Sequence, residues 1–115
     1  MIQRTLRAGT WGCSISLALL SLLPADEMQR TNLGGHAEHA LAYAGTSLLA
    51  GLGYPARLYW SVLLLVLYAG LLEWLQRFSP GRHPAVEDWL AGSTGVVAGA
   101  WAALIVAKVR TRRTR

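Results

Sequence analysis

Charge is scarce in this chain. Asp, Glu, Lys and Arg make up only 15% of its 115 residues, against 53% hydrophobic, a balance that excludes an ordinary soluble globular domain and points to a protein solvated by lipid. Cysteine is scarcer still. The single Cys13 leaves no disulfide framework and no thiolate metal cage to build; set in an apolar run, it reads as a small residue facing lipid or a neighbouring helix. No charged pair lies at the middle of any apolar run, which argues against transport. The net charge of +5 does not imply a nucleic-acid partner, because five of the eleven basic residues lie in the tail KVRTRRTR. Beside an apolar helix such a tail reads as a cytoplasmic anchor near anionic lipid.

What is present is apolar length. Four stretches, about 8–24, 37–53, 56–75 and 87–107, reach or approach the roughly 20 residues that cross a hydrocarbon core of about 30 Å at about 1.5 Å per helical residue. ARLYWSVLLLVLYAGLLEWL and WLAGSTGVVAGAWAALIVA are uncharged over most of their length. AEHALAYAGTSLLAGLG is shorter, rich in Ala and Gly, and opens near Glu38 and His39, so it inserts only if neighbouring helices shelter its polar end. The expected fold is all-α: one domain over 1–115, an integral membrane bundle of four transmembrane helices with a basic tail at 108–115. Arg4 and Arg7 before the first helix, and Lys108, Arg110, Arg112, Arg113 and Arg115 after the last, place both termini in the cytoplasm, which requires an even number of crossings. Arg4 and Arg7 followed by an apolar run also resemble a secretory signal peptide. A cut after Ala25 would set Leu23 where a small residue is wanted, so the first helix is expected to be retained.

With that orientation the unusual polar residues fall on the outer side. His36, His39 and Tyr43 are spaced by three and four, on one face of the second helix. They form either a polar relay or an interfacial set in which His36 meets headgroups and Tyr43 packs. Glu73 and Gln76 stand one turn apart at the end of the third helix. An ionised carboxylate near the bilayer core costs on the order of 2 to 3 kcal/mol, so Glu73 faces a partner or water, with His39 and Arg82 the nearest candidates. In SPGR, Pro80 ends the helix and Gly81 tolerates a turn, presenting Arg82 as a clamp for carboxylate or phosphate. Asp88 suits the positive end of the fourth helix. After it, Gly92, Gly95 and Gly99 recur within a stripe about 60° wide, a face suited to close helix packing.

These residues resemble a known pattern. His39-x3-Tyr43, followed by Glu73-x2-Gln76-x-Phe78-x-Pro80-Gly81-Arg82-x5-Asp88-x6-Gly95-x3-Gly99, is similar to the VanZ-like family of small bacterial membrane proteins. Members typically show Lys-x2-His-Phe-x2-Tyr, then Glu-x2-Gln-x-Phe-x-Pro-Gly-Arg, then Asp-x3-Asn-x2-Gly-x3-Gly. The resemblance covers about residues 34–104. Here His36 stands for the usual Lys, Ala40 for the Phe and Gly92 for the Asn. A member of the family is associated with low-level resistance to the glycopeptide teicoplanin, so the resemblance implies the bacterial inner membrane and a process of the cell envelope.

Three functional readings stay open. In the first, the outward cluster recognises a lipid-linked or anionic envelope group: Arg82 binds the anion, Glu73 and His39 pair, Gln76 orients the group and Asp88 holds Arg82. In the second, a small intramembrane enzyme uses Glu73 and His39 as an acid/base pair. A divalent metal on His36, Glu38, His39, Glu73 and Asp88 is a variant of it, but the chain has no compact spacing such as His-Glu-x2-His, and no metal or cofactor is expected. In the third, the chain is a structural subunit of a membrane complex. The expected partners are membrane lipid, a lipid-linked envelope precursor and a second copy of the chain.

Overall fold

The structure, a computed structural model, describes residues 1–22, 35–78 and 86–114. These residues form four helices and no strand: α1 (Ile2–Leu22), α2 (Gly35–Gly53), α3 (Leu58–Leu75) and α4 (Val86–Arg113), with 3-10 turns at Pro55–Arg57 and Gln76–Phe78. α3 with its flanking turns, and α4, are long and apolar enough to cross a membrane.

The helix limits follow local chemistry. α3 is entered through Pro55, whose fixed φ and missing N–H suit a first turn. It tightens into a 3-10 turn two residues short of Pro80, which cannot continue a helix. α4 opens with Glu87 and Asp88 in its first turn, where the helix dipole favours carboxylates.

Two limits differ from expectation. α1 starts at Ile2, not near residue 8, because its polar first turns find backbone partners. Gln3 Nε2 donates to the carbonyls of Leu52 (3.1 Å) and Gly53 (2.7 Å), Arg7 Nε donates to Gly53 O (2.8 Å), and the Arg7 guanidinium lies 4.7 Å from the centre of the Tyr54 ring. The orphaned last carbonyls of α2 are thereby capped by another helix. Lys108 to Arg113 are not a separate tail but the last turns of α4. No glycine or proline interrupts them, and cations are favoured at a helix C-terminus.

α2 and α4 share the largest interface, with α1 leaning on α2 and α3 on α4. Glycine sets how closely α2 and α4 approach. A Cβ at Gly95 would collide with the carbonyl oxygen of Ala40, and one at Gly99 with that of Ala44; one at Gly92 would come within 3.0 Å of the Tyr43 ring. The Ser47 hydroxyl crosses the same seam to donate to Val96 O (2.7 Å). On the other flank of α4, Trp89 lies over Gly70 and donates its indole N–H to Val66 O (3.0 Å). Tyr68 of α3 donates to the Ser14 carbonyl of α1.

Many large apolar side chains face outward, around a core that includes Tyr43, Leu65, Leu72 and Val96. The most completely buried side chains are Val96, Thr46 and Ser47, while Leu64 and Trp101 are 60% and 66% exposed and belong to an apolar surface along α3 and α4. Small residues and satisfied hydroxyls line the seam, as in helix packing without a hydrophobic drive between helices. Thr46, for example, returns its hydroxyl to Ala42 O at 2.9 Å.

Gly95→Ala should therefore destabilise the bundle by about 1 to 3 kcal/mol, since backbone faces the added methyl and cannot move aside cheaply. Ser47→Ala should cost about 0.6 kcal/mol, the average for a hydrogen bond between membrane helices. Gly45→Ala, whose methyl meets nothing within 4 Å, should be neutral. Denaturant titration in micelles ranks the three; a harmless Gly95→Ala would contradict the packing.

Candidate functional site

His39 lies in the first turns of α2, Glu73 in the last turn of α3 and Asp88 in the first turn of α4. Because α2 and α4 each run antiparallel to α3, these turns share one end of the bundle. One ring nitrogen of His39 and one carboxylate oxygen each from Glu73 and Asp88 all lie within 4.8 Å of one another. Glu73 is only 8% exposed, and His39 and Asp88 are half-buried. None of the three is without an interacting neighbour.

Each side chain is aimed by its helix. Glu73 and Gln76 are one turn apart and both buried, Gln76 at 3% exposure, whereas Trp74, Arg77 and Phe78 between and after them are exposed. Those three pack on one another: Trp74 and Phe78 meet edge to face at 5.7 Å, and the Arg77 guanidinium lies 5.4 Å from the Trp74 ring centre. Tyr43 sits one turn below His39, fully buried on Gly92 and near enough to Glu73 and Tyr68 to interact with them electrostatically. Gly92, where the resembled family carries Asn, is here the seat of the Tyr43 ring.

Two ionised carboxylates at that separation repel by on the order of 3 to 4 kcal/mol at an effective dielectric of about 20. A cation placed between them would relieve that repulsion. An imidazole beside a buried carboxylate can also exchange a proton with a bound group.

Of the residues singled out in the sequence, the structure brings together His39, Glu73 and Asp88, with Tyr43 and Gln76 buried on the same helix faces. Glu38 is not part of the convergence. Arg82 and the side chain of His36 lie outside the described residues. Gly92, Gly95 and Gly99 line the α2–α4 seam. Sequence reasoning missed a groove of about 710 Å³ between α1 and α3, with Trp11, Tyr54, Arg57, Trp60 and Tyr68 among its walls. The signal for it was the spacing of Trp60, Leu64 and Tyr68 by four, which puts an amphipathic stripe on one face of α3.

His39→Ala and Glu73→Gln should be non-additive. In a double-mutant cycle read by thermal or denaturant unfolding, groups this close typically show a coupling of about 0.5 to 3 kcal/mol; strict additivity would mean that the two do not act on one another.

No protein family, no characterised protein and no solved structure matches the chain.

Proposed function

We propose that this chain is a VanZ-like protein of the bacterial inner membrane, crossing it four times with both termini cytoplasmic, and that its polar end recognises a lipid-linked or anionic group of the cell envelope. The observation that carries the reading is the convergence of His39, Glu73 and Asp88, from three helices, at one end of an apolar bundle. A carboxylate 8% exposed among helices whose outer faces are Leu and Trp is costly to keep, and structural packing alone does not call for it.

Charge and aromatic residues support the orientation. Arg4, Arg7, Arg57 and the basic last turns of α4 share the end opposite the cluster, a distribution that supports reading that end as cytoplasmic by the positive-inside tendency. Tyr54, Tyr59 and Trp60 stand near that end and Trp74 near the other, the levels at which amphipathic aromatics meet headgroups. In this reading Gln76, buried one turn from Glu73, orients the bound group.

The closeness of an imidazole to a buried carboxylate favours a second reading, a small enzyme using Glu73 and His39 as acid and base on a lipid-linked substrate. Comparing the lipid composition of envelopes from cells with and without the protein separates the two, since only an enzyme alters it.

Two outcomes test the proposal. In a chain lacking Cys13, Phe78→Cys should react with a membrane-impermeant maleimide added to intact cells, and Tyr59→Cys only after permeabilisation; the reverse pattern would overturn the outward site. Purified protein should retain a polyprenyl phosphate in native mass spectrometry, with occupancy falling about tenfold or more in the folded fraction of Glu73→Gln. Equal occupancy would remove Glu73 from recognition.

A further inference from the structure

We infer that His39, Glu73 and Asp88 are the ligands of a divalent transition-metal cation of the zinc or manganese kind. The inference rests on the reading of this cluster as the binding site of the proposed function. A divalent cation held between Glu73 and Asp88 would offer a phosphate a direct ligand position.

The geometry suits such an ion. Metal–nitrogen and metal–oxygen bonds of about 2.0 to 2.2 Å place neighbouring ligand atoms about 3 to 3.5 Å apart. The three candidate atoms lie within 4.8 Å of one another, so rotation about the Glu73, Asp88 and His39 side-chain torsions closes the difference without moving a helix. One imidazole nitrogen and two carboxylate oxygens form a mixed donor set that suits zinc or manganese better than calcium or magnesium, which prefer oxygen alone. The three ligands found among the described residues leave at least one coordination position open, the arrangement that catalytic and substrate-binding sites share and closed structural sites do not. The ligands come from three helices with unrelated sequence spacing, which is why no compact motif announces the site. The α2–α4 seam holds His39 and Asp88 in register, and burial of Glu73, 8% exposed, excludes much of the water that competes for the ion.

The test uses full-length protein without a polyhistidine tag, stripped with chelator and placed in nanodiscs. Titration with Mn²⁺, followed by the paramagnetic resonance signal of the free aqua ion, should show one ion bound per chain, displaced by Zn²⁺. Glu73→Gln and Asp88→Asn should each weaken binding about tenfold or more, and Glu87→Gln, exposed and outside the cluster, should not. The bound Mn²⁺ of the unmodified protein should also show the nitrogen modulation of a directly coordinated imidazole, lost in His39→Gln. Absence of stoichiometric binding, equal affinity in Glu73→Gln and Asp88→Asn, or no nitrogen coupling in the unmodified protein would each overturn the site; the last reading holds even if a variant fails to fold. Polyprenyl phosphate retained in chelator by protein that binds no Mn²⁺ overturns the cation and leaves the recognition reading standing. Mn²⁺ bound as expected with no polyprenyl phosphate retained supports the cation and removes the recognition reading.

Discussion

The close approach of α2 and α4 is the constraint on which the rest of the structure depends. Small residues let two helices approach until backbone meets backbone, and their association then rests on van der Waals contact and a few hydrogen bonds. Gly95 and Gly99 bring the α4 backbone onto the carbonyls of Ala40 and Ala44, and the Ser47 hydroxyl crosses to Val96 at 2.7 Å. Because Ala40 and Tyr43 flank this contact on α2 and Gly92 on α4, the same seam fixes how His39 stands relative to Asp88. α3 then adds Glu73, its position set by Trp89 lying over Gly70.

The bundle thus separates its tasks by end. One end gathers the basic residues and ties α1 to α2 through Gln3 and Arg7 on the last α2 carbonyls. The other gathers His39, Glu73 and Asp88, with Gln76 buried beside Glu73, while Trp74, Arg77 and Phe78 face outward from the same end of α3. The groove between α1 and α3 lies apart from the cluster and has mostly apolar walls.

Much of this was legible in the sequence, for physical reasons. α3 and α4 announce themselves by apolar length, and a glycine stripe of period three and four can only face a close neighbour. The end shared by His39, Glu73 and Asp88 followed from counting alternating helices. What was not legible depends on contacts distant in sequence. The start of α1 at Ile2 needs Gln3 and Arg7 to find the carbonyls of Leu52 and Gly53, and nothing local to residues 2–7 specifies that. The continuation of α4 to Arg113 was hidden by reading a run of cations as a tail, although cations are favoured at a helix C-terminus. The metal-like geometry of the cluster was hidden because each ligand comes from a different helix, so only the packed bundle brings them within 4.8 Å.

The central claim is that three helices carry His39, Glu73 and Asp88 to one place. Paired cysteines in a chain lacking Cys13, treated in native membranes with the shortest bifunctional thiol reagent, read this directly. His39→Cys with Asp88→Cys, and Glu73→Cys with Asp88→Cys, should cross-link within one chain, while His39→Cys with Lys108→Cys should not. Failure of both cluster pairs, or equal cross-linking of the Lys108 pair, would contradict the arrangement.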